Sequence, residues 1–308
     1  MKISVLMTVY NGRDKLPLAI ESILTQTFSD FEFIIVDDGS TDNSSDVLAR
    51  YASRDARIQV TRQDNKGLTA ALNVGLKVAK GTCIARQDAD DISLPTRLEK
   101  QVKWMDGDPK LVLVGCNYDV IDDDGEYLVT IRNSQKNRLA EKLVRSNPFC
   151  HGTLMFRRLI AGQPVFYHEY YKKAQDRDLV FRFSQHGEIA IVPEVLYQWR
   201  FSRYGILATN VIFYGARARE NHLRRLVGRL ENFSPPTKEQ VRPRPSNGHF
   251  QMALGARYLS GYRTAEAKRC FLQACREFKV SDPEYLKCLK LLAASCLPHG
   301  ILRRVKDV

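Results

Sequence analysis

The chain has 308 residues, of which 44% are hydrophobic, and a formal net charge of +12. This length supports one large domain or two ordinary ones with a real core. No apolar run reaches the roughly 18 residues of a membrane-spanning helix, and the seven cysteines form no Cys-x-x-Cys pair. We therefore expect a cytoplasmic globular protein without a disulfide framework or a zinc site.

The positive charge is confined to the last third of the chain. Residues 200–308 hold 21 Lys and Arg against 8 Asp and Glu, a net of +13, whereas residues 1–199 have a net of −1. This asymmetry predicts two functional units. The second unit either faces a polyanion, such as nucleic acid or an anionic membrane, or is simply a soluble basic surface.

Strand and helix patterns alternate through the first 90 residues. Apolar runs predict buried strands at 3–9, 31–36, 58–61 and 83–85. Helical periodicity is found between them, at 14–26, 45–53 and 68–79. This alternation is typical of a doubly wound α/β sheet, in which ligands bind at the carboxyl ends of the strands.

Polar side chains recur where these predicted strands end. They are Asn11, Asp37, Asp38, Arg62, Asn65, Asp88, Asp90 and Asp91. Such a set suits a nucleotide, with partners for base and ribose and a cation near phosphate. The sequence lacks both Gly-x-Gly-x-x-Gly after the first strand and a P-loop motif, so neither a dinucleotide fold nor a P-loop enzyme is favoured.

Three of these acids, Asp88, Asp90 and Asp91, follow the fourth strand within four residues. Clustered carboxylates repel one another unless a cation neutralises them. Oxygen ligands favour Mg²⁺ or Mn²⁺, which proteins commonly share with substrate phosphates. The alternative is a solvated acidic turn at the end of a strand.

Four segments together resemble glycosyltransferase family 2, which has an A-type nucleotide-sugar fold. They are Val5–Gly12, Val36–Asp42, Asn65–Gly67 and Ile84–Ile92. The resemblance covers roughly residues 1–204. It implies an α/β, Rossmann-like mixed sheet that binds a nucleoside diphosphate sugar, followed here by an α-helical C-terminal region.

The resemblance also implies roles for individual residues. The backbone at Thr8 and Tyr10, with Asp37 and Asp38, would hold the base and ribose, and Asp88 would close the pocket. Asp90 would coordinate Mn²⁺ or Mg²⁺ that bridges the diphosphate. The predicted nucleotide-binding set is Thr8, Tyr10, Asn11, Asp37, Asp38, Arg62, Asn65, Gly67 and Asp88.

The next part of the chain is expected to bind the acceptor. The pattern at 93–105 predicts a helix with Pro95 in its first turn, and the run at 111–116 predicts a strand. A second acidic cluster, Asp122–Gly125, lies between strand patterns at 116–121 and 127–131. It is interpreted as a solvated hairpin turn, with a metal site as the alternative.

Residues 174–183 fit either a strand or a helix, and the family resemblance favours a helix. Sugar transfer with inversion needs a carboxylate that accepts the proton of the attacking hydroxyl. The family's Glu-Asp pair maps onto Gln175 and Asp176, so Asp176 is the predicted base. The alternative is that Asp176 is a helix cap or first-turn acid. His151 and Arg200, with Gln175, are weaker acceptor-side candidates.

The basic region 205–308 is predicted to be helical. An amphipathic helix at 206–232 suits either an anionic membrane or the surface of the catalytic domain. A Pro-rich linker at 233–246 precedes a tetratricopeptide-like hairpin at 247–297. One such hairpin cannot bury its own apolar face, so it should dock on the catalytic domain, on the 206–232 helix, or on a second subunit of a homodimer.

Together these features predict a metal-dependent inverting glycosyltransferase of the hexosyltransferase type, with a peripheral contact to the inner face of a membrane. Its substrates would be a UDP-sugar and a saccharide or lipid-linked acceptor, in cell-surface polysaccharide synthesis. One alternative is a nucleotidyltransferase of related fold. Another is a non-catalytic nucleic-acid-binding or scaffold protein that uses the basic region, although nucleic acid is not the expected partner.

Overall fold

The computed structural model describes residues 1–12, 14–133, 139–145, 147–201, 211–226, 228–235, 252–254, 256, 264–277 and 283–295. The longer strands are β1 (Ile3–Val9), β2 (Phe31–Asp37), β3 (Ile58–Arg62), β4 (Cys83–Asp88), β6 (Leu111–Ile121), β7 (Tyr127–Ile131) and β11 (Glu188–Arg200). Four strands of two or three residues are β5 (Ile92–Ser93), β8 (Met155–Arg157), β9 (Leu159–Ile160) and β10 (Gln163–Pro164).

The helices of the first 200 residues are α1 (Leu16–Leu24), α2 (Ser44–Ala52), α3 (Leu68–Val78), α4 (Arg97–Gly107), α5 (Leu139–Arg145) and α6 (Gln175–Phe183). They are followed by α7 (Val211–Leu226), α8 (Thr264–Glu277) and α9 (Pro283–Ala294).

One mixed sheet organises the fold, with strand order β3-β2-β1-β4-β8-β6-β11-β5 and β7 paired to β6. Strands β3, β2, β1 and β4 are mutually parallel. Strand β8 then pairs antiparallel with both β4 and β6, and β5 pairs antiparallel with β11. The predicted fold class, a Rossmann-like mixed sheet, is confirmed.

Two apolar layers cover the sheet. On one face α1, α2 and α4 pack through side chains such as Ile20, Leu48 and Met105. On the other face α3, α5 and α6 pack through Leu72, Leu143 and Phe183 among others. Because β1 and β2 are covered on both faces, every residue of these two strands is buried, as the continuous apolar runs predict.

The predicted start of the fourth helix is wrong. The pattern at 93–105 placed Pro95 in its first turn, but Ile92 and Ser93 form β5, which pairs with Gln198 and Tyr197 of β11, and the helix begins at Arg97. A strand partner about 100 residues away therefore overrides the local helical pattern. The hairpin turn at Asp122–Gly125 is confirmed, because the Gly125 amide donates to the Asp122 carbonyl at 3.1 Å.

The chain divides into two compact units. The first comprises Met1–Tyr118, Arg132–Trp199 and Asn210–Gln240, and the second comprises Asp119–Ile131, Arg200–Thr209 and Val241–Val308. In the second unit α8 and α9 share a small apolar cluster that includes Phe271 and Cys288. The tetratricopeptide-like hairpin predicted at 247–297 stays a prediction, because its residues 247–251, 255, 257–263, 278–282 and 296–297 lie outside the described part of the chain. Residues 236–246 of the predicted Pro-rich linker also lie outside it.

The amphipathic helix predicted at 206–232 corresponds to α7, Val211–Leu226. Its predicted end is wrong, because residues 228–232 are not helical, and residues 202–210 and 227 lie outside the described residues. Helix α7 packs on α6 within the first unit: His222 stacks on Phe181 with ring centroids 4.2 Å apart. Asn221 Nδ2 donates to the Tyr171 hydroxyl at 2.9 Å. The sequence left two partners open for this helix, an anionic membrane and the catalytic domain. These contacts show that one side of α7 packs on the domain. Across the described residues, every helix is too short or too polar to span a bilayer.

Candidate active site

The candidate site lies at the edge of the sheet where the parallel strands end. The strand register pairs Thr8 with Asp88, pairs Val9 with Asp37, and pairs Asp37 with Arg62 on the outer strand. The predicted residues of four different strands therefore arrive at one edge, which is where α/β sheets bind their ligands.

Asp37 is 1% exposed, and both of its carboxylate oxygens accept hydrogen bonds from other residues of the chain. Its Oδ1 accepts a hydrogen bond from the Ser40 amide at 2.9 Å, and its Oδ2 accepts one from the Ser45 hydroxyl at 2.7 Å. Arg62 Nε lies 3.8 Å from Oδ2, and the Arg62 side chain is 61% exposed. Asp37 thus fixes the loop that follows β2, and Arg62 remains accessible to an anion at this edge.

Asp38 organises a second loop. Its Oδ1 accepts hydrogen bonds from Gln63 Nε2 at 2.6 Å and from the Lys66 amide at 2.9 Å. Its Oδ2 accepts one from the Gly67 amide at 2.8 Å, just before α3 begins. The predicted nucleotide residues Asn65 and Gly67 therefore lie on a loop that Asp38 holds in place, and the Asn65 side chain is exposed.

The chain turns sharply after β1. Asn11 adopts a left-handed backbone with φ of 54°. Its Oδ1 accepts a hydrogen bond from the Thr41 amide at 2.8 Å, and its own amide donates to Ser40 Oγ at 3.0 Å. Asn11 therefore has a structural task at the edge. Its neighbour Tyr10 is 53% exposed, which leaves an aromatic face available for a planar ligand.

The acidic loop after β4, residues 88–91, makes hydrogen bonds that the sequence did not predict. Arg86 Nη2 donates to Asp88 Oδ1 at 2.6 Å, and Arg86 itself is 1% exposed. The Tyr197 hydroxyl donates to Asp91 Oδ2 at 2.9 Å, and Asp91 is also 1% exposed. Asp90, which lies between them in the sequence, is half-buried.

These contacts correct one step of the sequence reasoning. The three clustered carboxylates were expected to need a cation, yet Asp88 already pairs with a buried guanidinium and Asp91 with a buried phenol. Internal partners therefore offset part of the repulsion. Of the three, Asp88 has a side chain that is 27% exposed, and Asp90 is half-buried.

The donor set at this edge fits a hard divalent cation. The accessible ligands are carboxylate oxygens, which Mg²⁺ and Mn²⁺ prefer. Among the residues that the structure describes, no group of three or more His, Cys, Asp or Glu side chains is placed to hold a metal ion by itself. Asp90 and Asp88 would therefore hold such an ion together with oxygens of a bound phosphate ligand, as is usual for Mg²⁺.

Asp176 lies in the first turn of α6. The helix follows Ala174, whose left-handed backbone (φ of 57°) sets the direction in which the helix starts. Asn147 Nδ2 donates to Asp176 Oδ2 at 2.8 Å. Burial raises the pKa of the Asp176 carboxyl, backbone N–H groups of the first turn act in the opposite direction, and the negative charge of Asp88 raises the pKa further. The structure thus brings Asp176 and Asp88 within electrostatic range of each other.

His151 forms a hydrogen-bonded pair with Tyr167. His151 Nε2 and the Tyr167 hydroxyl are 2.8 Å apart. Burial and the positive charge of Arg86 lower the pKa of His151 to about 3, so the imidazole is neutral at pH 7. Burial raises the pKa of Tyr167, and the charges of Asp176 and Asp88 both act on it. This neutral pair therefore lies near both carboxylates.

The other two acceptor-side candidates are placed differently. Gln175 is buried in the first turn of α6, next to Asp176. Arg200 is 4% exposed, and its Nη1 donates to the carbonyls of Asp122 at 2.7 Å and Asp123 at 3.1 Å. The contacts of Arg200 are therefore with the hairpin turn of the second unit, and its acceptor-side role stays a prediction.

Sequence reasoning missed four residues of this site: Arg86, Asn147, Tyr167 and Tyr197. Arg86 had a readable signal, because residues two apart on a strand share one face and Arg86 precedes Asp88 by two. Tyr197 is 106 positions from the carboxylate that it contacts, and Asn147 is 29 positions from Asp176. Contacts over such separations have no local signature in a single sequence.

The sequence matches a family model and several known glycosyltransferases. Residues 4–161 match the family model described as glycosyl transferase family 2. The amylovoran biosynthesis glycosyltransferase AmsE of Erwinia amylovora is 32% identical over 203 residues, which are 64% of this chain and 75% of AmsE. The O-antigen biosynthesis glycosyltransferase WbnJ of Escherichia coli is 36% identical over 157 residues, which are 51% of this chain and 61% of WbnJ.

Solved structures share the fold at lower sequence identity. S. aureus TarS 1-349 in complex with UDP-GlcNAc matches with a TM-score of 0.59 and 18% identity, covering 96% of this chain and 82% of TarS 1-349. The mannosyltransferase PcManGT from Pyrobaculum calidifontis, in complex with GDP-Man and Mn²⁺, matches with a TM-score of 0.56 and 16% identity, covering 99% of this chain and 86% of PcManGT.

Proposed function

The chain belongs to glycosyltransferase family 2, and from this premise we propose that it is a metal-dependent, inverting hexosyltransferase. Its donor is a nucleoside diphosphate sugar, with a UDP-sugar expected first. Its acceptor is a saccharide or a lipid-linked saccharide. The biosynthetic roles in the names of AmsE and WbnJ support polysaccharide synthesis as the process, and family membership favours sugar transfer over nucleotidyl transfer or nucleic-acid binding.

One observation carries the proposal. Asp176 belongs to a helix far along the chain from the acidic loop, yet its carboxyl lies within electrostatic range of Asp88. A displacement that inverts the anomeric carbon needs a proton acceptor for the attacking hydroxyl and charge stabilisation for the leaving group. Asp176 suits the first task, and the Asp88–Asp90 edge suits the second.

The reaction is a single displacement. The acceptor oxygen forms a bond to the anomeric carbon while the bond from that carbon to the diphosphate oxygen breaks. The electron pair leaves with the nucleoside diphosphate, and Asp176 takes the proton of the acceptor hydroxyl. A divalent cation held by Asp90 would offset the charge that develops on the diphosphate. Asn147 keeps the Asp176 carboxylate oriented through its 2.8 Å hydrogen bond.

The remaining residues of the edge bind the donor. Tyr10 offers an exposed ring to the base, and the loops fixed by Asp37 and Asp38 surround the nucleoside. Arg62 adds an accessible positive charge to this edge. These roles follow the predicted nucleotide-binding set, with Asp37, Asp38 and Asn11 acting largely by shaping the loops.

Binding of nucleotides with and without metal tests the proposal. Thermal unfolding is measured with UDP, GDP, ADP and CDP, each with Mn²⁺, with Mg²⁺ and with EDTA. We expect UDP or GDP to raise Tm only when metal is present, since a ligand that binds the folded state stabilises it. Asp90→Asn should lose the metal-dependent shift, whereas Asp124→Asn, in the exposed hairpin turn, should keep it. A Tm that responds to no nucleotide, or equally with EDTA, would contradict the proposal.

A peripheral membrane contact is the second part of the proposal. The outward face of α7 and the segment after it carries Leu223, Leu226 and Leu230, which are 46%, 60% and 90% exposed. The exposed Arg219 and Arg229 lie beside them. Leucines flanked by arginines suit the surface of an anionic bilayer, where a lipid-linked acceptor would also lie.

Vesicle flotation tests this contact. We expect the protein to float with vesicles of phosphatidylcholine and phosphatidylglycerol and to stay behind with phosphatidylcholine alone. The double variant Leu223→Ser with Leu226→Ser should lose flotation and keep the nucleotide response. Equal behaviour of the variant and the original chain would overturn the membrane contact and leave the transferase proposal intact.

A further inference from the structure

Buried polar side chains form hydrogen bonds with the backbone of the acidic loop. Gln87 is fully buried, and its Nε2 donates to the carbonyls of Asp88 and Asp91, each at 3.0 Å. Its Oε1 accepts hydrogen bonds from Ser93 Oγ at 2.6 Å and from Arg97 Nη1 at 3.2 Å. The loop therefore rests on a connected network, of the kind that specifies one geometry when its members are satisfied.

Tyr197 closes this network from the opposite strand, β11. Its side chain is fully buried, and its ring lies 5.0 Å from the Arg97 guanidinium carbon. Its hydroxyl donates to Asp91 Oδ2 at 2.9 Å and accepts a hydrogen bond from the Asp88 amide at 3.3 Å. One phenol oxygen thus contacts both ends of the acidic loop, on either side of Asp90.

Gly152 makes room for this hydroxyl. A Cβ at position 152 would lie 2.1 Å from Tyr197 Oη and 2.9 Å from Asp88 Oδ2. Glycine is therefore required here by close approach. The glycine and the buried phenol therefore form a matched pair in this chain.

From these contacts we infer that Tyr197 is a positioning residue for the metal-binding loop, and that Gly152 is the neighbour that permits its position. The Tyr197 hydroxyl contacts the Asp91 carboxylate and the Asp88 amide, so it fixes the chain on both sides of Asp90, the proposed metal ligand. The inference rests on the proposed function, because it assigns Tyr197 a role in metal binding at that same site.

The test is Mn²⁺ affinity, measured without turnover. Free Mn²⁺ is followed by electron paramagnetic resonance while it is titrated into the protein with saturating UDP or GDP. We expect Tyr197→Phe to weaken Mn²⁺ binding by about 10-fold to 100-fold, the usual effect of losing a residue that orients a metal ligand. The control is Tyr171→Phe, which removes another buried phenol oxygen, bonded to Asn221, and should change the affinity less than twofold.

A double-mutant cycle sharpens the test. Gly152→Ala should weaken Mn²⁺ binding in the original chain, because the methyl group displaces the Tyr197 hydroxyl. In the Tyr197→Phe background the contact at 2.1 Å is removed, but the ring carbon Cζ at 2.6 Å and Asp88 Oδ2 at 2.9 Å remain, so the same alanine should cost less without becoming neutral, since residues in contact give non-additive effects. Gly152→Ala alone does not isolate Tyr197, because its methyl group would also lie 2.9 Å from Asp88 Oδ2. If Tyr197→Phe does not fold, Asp91→Asn, which replaces the acceptor of the Tyr197 hydroxyl, takes its place, and a Mn²⁺ affinity changed less than twofold overturns the inference.

The outcomes separate this inference from the proposed function. Failure of the original chain to bind Mn²⁺ with any nucleotide would overturn both. A Mn²⁺ affinity that Tyr197→Phe changes less than twofold, or effects that add within error in the cycle, would overturn the positioning role of Tyr197 and leave the transferase proposal standing.

Discussion

Asp176→Asn distinguishes a catalytic base from a structural first-turn acid. Asn keeps the size of the side chain and an oxygen that can accept the hydrogen bond from Asn147. It removes the negative charge, which is disfavoured by burial and by Asp88. The substitution therefore deletes the proton acceptor and removes a charge whose burial the nearby Arg177 and the backbone N–H groups offset only in part.

The magnitudes follow from these contacts. Loss of a general base typically lowers the rate about 10² to 10⁴-fold, which corresponds to about 2.7 to 5.4 kcal/mol of transition-state stabilisation. The free energy of unfolding should change by less than about 1 kcal/mol, because one lost acceptor is balanced by the removal of a disfavoured charge.

Asp178→Asn provides the matched control on the same helix. Asp178 is 1% exposed and pairs with Arg182 Nε at 3.0 Å and with Arg225 Nη1 at 3.3 Å. Breaking such a buried pair typically costs about 3 to 5 kcal/mol of stability. We expect this variant to lose stability in urea unfolding and to keep its turnover per folded molecule at low temperature.

The assay is release of nucleoside diphosphate from the donor that the binding measurements identify, combined with urea unfolding of both variants. We expect opposite signatures, with activity lost at position 176 and stability lost at position 178. Turnover of Asp176→Asn within tenfold of the original chain would refute the assignment. A loss of activity that matches an equal loss of folded protein would support the first-turn alternative.

Three further predictions concern pH and stability. In a pH–rate profile, the acid limb of kcat/KM should lie above the ordinary carboxyl pKa, because Asp176 must be ionised and its pKa is raised. His151→Gln should leave this limb in place, since a pKa of about 3 keeps that imidazole neutral. A limb that disappears in His151→Gln would contradict this. Gly39→Ala should lower Tm and weaken UDP or GDP binding in calorimetry, because φ is 76° and a Cβ would lie 2.7 Å from the Asn65 amide nitrogen; unchanged binding would refute the loop's role. Arg225→Met should reduce stability in urea by about 3 to 5 kcal/mol, because it leaves a buried carboxylate of α6 short of a partner, whereas unchanged stability would show that α7 does not support the helix.

The fold was largely predictable because its signals are local. The continuous apolar runs of β1 and β2 require cover on both faces, and the polar residues that follow them meet at one edge. The acidic loop and the α6 helix were found through motifs rather than through periodicity. Even there, alternation on β4 placed Arg86 on the same face as Asp88, a signal that the sequence reasoning did not use.

The errors arose where distant segments decide the structure. The pattern at 93–105 is locally helical, but pairing of Ser93 with Tyr197 turns its first residues into strand β5. The Tyr197 hydroxyl reaches Asp91 only because β11 lies beside β5. The surface covered by the amphipathic α7 was also undetermined, since its periodicity shows an apolar stripe without showing what packs against it.

A crystal structure of the protein with Mn²⁺ and UDP or GDP, with anomalous scattering recorded near the manganese edge, tests the metal site and the nucleotide site together. We expect a manganese peak at Asp90, with the diphosphate beside it and Asp176 in the same cleft. A peak at the Asp122–Asp124 turn, or a nucleotide bound away from the ends of β1, β2 and β4, would contradict it.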